Sequence, residues 1–206
     1  MTGVTTLAIS GASNPGTQTI TNVAASGLAI AIGELAAEFD DGDIVNISLA
    51  DETGSADALT VKIDNRANAD TDVALKTTAI ETVSLDVLDL DTSNDAAVDM
   101  TAVKASTINV SGGFLGSVIA MTTLANETTT VNLADFKGEV SFTAGTTATG
   151  MTVTASSSHA DDNFILSAKN DTITIAETAA VDVDVDGGAG TDTLNLSVMT
   201  GFKDTG

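Results

Sequence analysis

The chain has no cysteine, tryptophan or tyrosine, and one proline, one histidine and one arginine among 206 residues. Without cysteine there are no disulfides, no thiolate nucleophile and no Cys-ligated zinc. A serine-hydrolase triad would have to use His159, in the loop-like run Ser156-Ser157-Ser158-His159-Ala160-Asp161-Asp162, and no G-x-S-x-G turn accompanies it. Cations are scarce: Arg66 and six lysines stand against 22 Asp and 7 Glu, a net charge of −22. Seven dispersed cations cannot form the basic patch that nucleic acid requires, and an anionic membrane surface repels such a chain. Long apolar runs are also missing. The longest, Leu28 to Phe39, is broken by Gly33, Glu34 and Glu38 and falls short of the ~18 residues of a membrane span. The opening Met1-Thr2-Gly3-Val4 lacks the flanks of a signal peptide, and Phe202-Lys203-Asp204-Thr205-Gly206 brings no closing element, the pattern of a fragment of a longer protein.

What the chain does have is threonine, alanine and β-branched residues punctuated by Gly, Asn and Asp, a composition of strands and turns. Leu, Ile, Val and Phe number 52, enough for a core of small and branched side chains. The apolar spacing Leu28, Ile32, Leu35, Phe39 predicts a short helix over residues 28–39, although Leu28, Ile30 and Ile32 also alternate as in a strand.

An internal repeat organises the rest. A polar residue, a variable one, an apolar one, a small polar one and a second apolar one recur seven times. The copies are Asp57-Ala58-Leu59-Thr60-Val61, Glu81-Thr82-Val83-Ser84-Leu85, Ser106-Thr107-Ile108-Asn109-Val110, Thr129-Thr130-Val131-Asn132-Leu133, Thr149-Gly150-Met151-Thr152-Val153, Asp171-Thr172-Ile173-Thr174-Ile175 and Asp192-Thr193-Leu194-Asn195-Leu196. Their steps of 24, 25, 23, 20, 22 and 21 residues average 22.5. Further apolar pairs at Val140/Phe142, Phe164/Leu166 and Val181/Val183/Val185 fall midway between copies, so each rung holds at least two strands. A single alternating strand cannot bury its apolar face, whereas stacked coils cover one another. The chain therefore reads as all-β, a parallel β-solenoid with rungs of about 22 residues. Thr60, Ser84, Asn109, Asn132, Thr152, Thr174 and Asn195 form its outward ladder. A β-sandwich with evenly spaced strands is the alternative.

One stretch carries specific chemistry. Gly187-Gly188-Ala189-Gly190-Thr191-Asp192-Thr193-Leu194-Asn195 fits G-G-x-G-x-D-x-U-x, the calcium-binding nonapeptide of RTX proteins. Its glycines turn carbonyl oxygens outward and its Asp adds a carboxylate, the hard oxygen donors that Ca2+ prefers. One rung earlier, Ala168-Lys169-Asn170-Asp171-Thr172-Ile173 carries a similar run with Lys169 in place of glycine. Gly54-Ser55-Ala56-Asp57 and Gly42-Asp43-Ile44 are weaker echoes. The metal-ligand candidates are Asp192, Gly188, Gly190, Asp171, Asn170 and Asp186. Val181-Asp182-Val183-Asp184-Val185-Asp186 reads as a strand with one acidic face, and Gly112-Gly113-Phe114-Leu115-Gly116 as a turn or bulge without the spacing of a phosphate loop.

With this motif and its Thr/Ala/Asp/Gly-rich rungs, such as Ile80-Glu81-Thr82-Val83-Ser84-Leu85 and Ser106 to Gly113, the chain resembles the RTX-type surface-layer proteins of Gram-negative bacteria. That resemblance implies type I secretion by an uncleaved C-terminal signal, an extracellular place on the cell surface, and calcium-dependent assembly with copies of itself into a lattice. It also implies contact with lipopolysaccharide through parts outside this segment. Residues 1–41 then read as an N-terminal, capping segment, and residues 42–206 as the solenoid ending in an RTX-like calcium turn. The expected role is structural and non-enzymatic. An adhesion module of a large RTX adhesin shares these features. A β-helix enzyme acting on polysaccharide lacks the basic and aromatic residues it would use.

Overall fold

The computed structural model describes residues 6–9, 16–23, 29–33, 44–51, 53–65, 71–89, 96–114, 116–122, 124–145, 149–156, 162–176 and 183–196. Among these the chain is all-β, and its strands alternate between two sheets. One sheet holds nine strands: β1 (Thr6–Ile9), β3 (Ala29–Gly33), β5 (Ala58–Asn65), β7 (Thr82–Asp89), β9 (Thr107–Gly112), β11 (Thr130–Phe136), β13 (Thr152–Ala155), β15 (Thr172–Ile175) and β17 (Thr193–Leu196). The other holds eight: β2 (Thr17–Val23), β4 (Ile44–Leu49), β6 (Thr71–Thr78), β8 (Ala96–Val103), β10 (Val118–Met121), β12 (Glu139–Thr143), β14 (Asn163–Ile165) and β16 (Asp184–Asp186). Every pairing is parallel and joins a strand to the one a full coil away, so the fold is a two-sheeted β-solenoid and not a sandwich of hairpins.

The core lies between the sheets. Alternation sends every second residue inward, and register stacks like on like: Leu59, Val83, Ile108, Val131, Val153 and Ile173 form one buried column of the first sheet. In the second sheet Met121, Phe142 and Phe164 are buried in one column, and the two rings pack with centroids 5.3 Å apart and planes tilted by 42°. The corners leading from β6 and from β8 back to the first sheet each turn on a left-handed residue, Ala79 (φ 54°) and Lys104 (φ 76°), 25 positions apart.

Three local readings change. The stretch expected as a helix is a strand over Ala29–Gly33, paired with β1 and β5 in register, Ile30 beside Val61 and Ile32 beside Ile63. The β-branched alternation outweighs the helical spacing because the sheet on both sides supplies partners. Leu28 and residues 34–39 of that stretch, and Gly42, Asp43, His159, Asp161, Val181 and Asp182, lie outside the described residues. The fifth copy of the repeat is Met151-Thr152-Val153-Thr154-Ala155, since Thr152 pairs with Thr130 and Thr172, and Val153 with Ile173. A slip of two residues keeps every side chain on its face, so the pattern alone cannot detect it. The outward ladder accordingly runs through Thr154 and not Thr152. Finally, β1, β2 and β3 already belong to the two sheets, although Ala29 pairs with Thr60 and Ile44 with Ala74, coils of 31 and 30 residues that break the rhythm seen from Asp57 onward.

Thr77 points into this core, fully buried, with no hydrogen-bond partner for its hydroxyl among the described residues. Replacing it with the near-isosteric valine removes an unpaired polar group, which is worth about 1–3 kcal/mol. Thr77→Val should raise the urea midpoint with an unchanged slope. Phe164→Ala should lower stability by about 3–5 kcal/mol in the same measurement.

Candidate metal centre

The nonapeptide turn forms the corner between β16 and β17, and it lies directly on the corner between β14 and β15. The fit is backbone against backbone. A Cβ on Gly188 (φ 73°) would strike the Ser167 carbonyl oxygen, and one on Gly190 (φ 133°) the Lys169 carbonyl oxygen. These glycines serve close stacking as well as left-handed conformation. The turn is further tied down by Asp186, whose Oδ1 accepts the Gly188 N–H at 2.9 Å, and by Asn170, whose Oδ1 accepts the Thr191 N–H at 2.9 Å.

Three acids at the first position of the repeat, Glu81, Asp171 and Asp192, act as staples between coils. Asp192 Oδ1 accepts the Asp171 N–H at 2.9 Å, and Asp171 Oδ1 accepts the Met151 N–H at 2.6 Å. Glu81 Oε2 does the same for the Asp57 N–H at 2.9 Å. Where that position is Ser or Thr, the bond reverses direction: Ser106 Oγ donates to the Glu81 carbonyl at 3.1 Å and Thr129 Oγ1 to the Ser106 carbonyl at 3.4 Å. The acids take up N–H groups of Asp57, Met151 and Asp171 at strand starts, whereas the two hydroxyls add a further donor to carbonyls that already accept backbone N–H groups from the next coil. This explains why the repeat begins with Asp, Glu, Ser or Thr in most copies.

The two Asp candidates consequently differ. Asp171 is buried, and the Ser167 hydroxyl also lies 2.9 Å from each of its oxygens, so its carboxylate is engaged inside the protein. Asp192 is exposed, with Oδ1 engaged and the Oδ2 side against Gly187. Asp186, Gly188 and Gly190 are exposed as well, and together with Asp192 they frame the turn from both ends. Asn170 reaches the turn, while the exposed Lys169 occupies its neighbouring coil. The described residues contain no cluster of three or more His, Cys, Asp or Glu side chains placed to hold a metal ion. A cation here would therefore draw on carbonyl oxygens of the glycine turn in addition to Asp186 and Asp192.

One acid escaped the reading by motif. Asp162, buried, accepts the Val140 N–H at 2.8 Å on the opposite edge of the solenoid, the same staple at the start of a second-sheet strand. Its signal was its place just before Asn163-Phe164, obscured by the abundance of paired acids. At Asp57 the carboxylate Oδ2 is buried without a hydrogen-bond partner among the described residues, close to Gly54. On the surface, the Thr53 hydroxyl and N–H both donate to Asp51 and hold its carboxyl below the usual range. Comparison of the chain with protein-family models, curated proteins and solved structures gives no match.

Asp171→Ala should destabilise the protein by about 2–3 kcal/mol, because a buried N–H loses a charged acceptor. Asp171→Asn, which keeps an acceptor oxygen, should cost less. Both effects should persist in chelator, and denaturant titration with EDTA present checks this.

Proposed function

We propose that this chain is a structural segment of a secreted bacterial surface layer, in which calcium bound at the Gly187–Asn195 corner rigidifies the solenoid and permits copies to assemble into a cell-surface lattice. The observation that carries the reading is the exposed glycine turn bracketed by Asp186 and Asp192 on a chain of net charge −22. A glycine turn with a carboxylate at either end offers the oxygen donor types that suit a hard divalent cation. Charge supports the same conclusion at the level of assembly: identical acidic bodies repel, and cations bound at their surfaces offset that repulsion. The proposed role needs no catalytic residues, and type I export with an extracellular location goes with it.

The staple geometry supplies a clean test. Asn at position 192 keeps an oxygen for the Asp171 N–H while removing the charge that a cation needs. Thermal melts by circular dichroism in millimolar calcium, in magnesium and in EDTA should show a calcium-specific rise for the wild type. A ligand at a hundredfold excess over Kd stabilises by about 2.7 kcal/mol. Asp192→Asn and Asp186→Asn should melt near the wild type in EDTA and lose most of that rise. Identical wild-type melts in all three solutions would overturn the reading.

A further inference from the structure

The outer face of the first sheet is an ordered array of small polar side chains. Thr82, Thr107, Thr130, Thr152, Thr172 and Thr193 stand in register on six successive strands. Two residues further along each strand stand Ser84, Asn109, Asn132, Thr154, Thr174 and Asn195, also in register. All twelve are exposed or half-exposed. Strand spacing places neighbours about 4.8 Å apart along the solenoid, and the two columns lie about 6.8 Å apart. Side chains within the array also bond to one another, Asn109 Nδ2 to Ser84 Oγ at 3.2 Å and Asn195 Nδ2 to Thr174 Oγ1 at 3.4 Å, which fixes their orientation.

None of the twelve is charged, on a molecule of net charge −22. The outer face of the second sheet contrasts with it, carrying Asp99, Glu139, Asp184 and Asp186 as well as Lys76. Asp86 and Asp135 lie at the margin of the array, further along their strands, and Asp86 is paired with Lys62 at 3.7 Å. Charged side chains impose hydration shells of their own, whereas threonine offers a hydroxyl beside a methyl that holds water without reorienting it strongly. The face has no aromatic ring on which a sugar could stack. It is also too polar for an apolar partner.

We infer that this face binds an ordered lattice of water, the surface of an ice crystal. The oxygen rows of hexagonal ice repeat in two directions at intervals close to those of the array, so hydroxyls and amides held by the backbone can substitute for lattice waters over many coils at once. Each contact is weak, and the rigid two-dimensional register makes them additive.

The test uses the full chain in calcium buffer, with a growing ice crystal as the probe. Nanolitre osmometry should show faceted crystals and a gap between freezing and melting points, and the protein should partition into slowly grown ice. Thr130→Glu/Thr172→Glu should lose at least half of the gap and most of the partitioning. Thr101→Glu, on the outer face of the second sheet, should retain both. Circular dichroism establishes that each variant is folded. Exclusion of the folded wild type from ice, or equal loss in the two variants, would overturn the inference. So would sedimentation showing that the array mediates association between copies while ice is left unshaped.

Discussion

Everything in this molecule is built around the spacing of hydrogen-bonded parallel strands. Each coil must follow its predecessor at one strand spacing, about 4.8 Å, on both sheets and around both edges. That single constraint selects alternating Val, Ile and Leu for the interior, where like side chains stack in columns. It also selects glycine where a corner lies flat on the carbonyls beneath it, as at Gly188 and at Gly150 against the Asn170 carbonyl. A chain with no disulfide gains its rigidity from repetition of this kind, because each coil is clamped by two others.

The corners show how acidic composition serves structure. A sheet ladder leaves backbone groups unmatched where a strand begins, and water satisfies them only when they are exposed. Here Asp162, Asp171, Asp192 and Glu81 reach back to the preceding coil and accept those N–H groups. Part of the acidity of the chain is thereby accounted for by backbone chemistry, before any ligand is considered. The proposed calcium site would be an elaboration of the same device, with Asp192 stapling with one oxygen and facing the glycine turn with its other side.

The solenoid, its parallel strands and the position of most rungs were legible in the sequence, because a polar-x-apolar-polar-apolar order repeated every 20 to 25 residues has few other physical causes. Legibility failed where periodicity is blind. A two-residue slip leaves the faces unchanged, so the copy at Met151 was placed too early. Long coils between β3 and β5 hid the first three strands from a search by period. For the candidate site, the glycines and acids of the turn were readable, but the division of labour between a buried, engaged Asp171 and an exposed Asp192 was not. That division depends on Ser167 and on backbone donors from other coils, partners that no linear motif encodes.

The paired strands from β5 onward stand only 20 to 25 residues apart in sequence, and the widest register step, from Ala29 to Thr60, is 31. Relative to 206 residues the typical separation is about 0.11, a value found in helical bundles and unusual for all-β proteins. Loop closure for each new coil therefore carries about the same modest entropy wherever it occurs. Assembly can begin at any well-formed pair of coils and extend by zippering in both directions, so chain length adds steps to folding without raising the barrier to the first one.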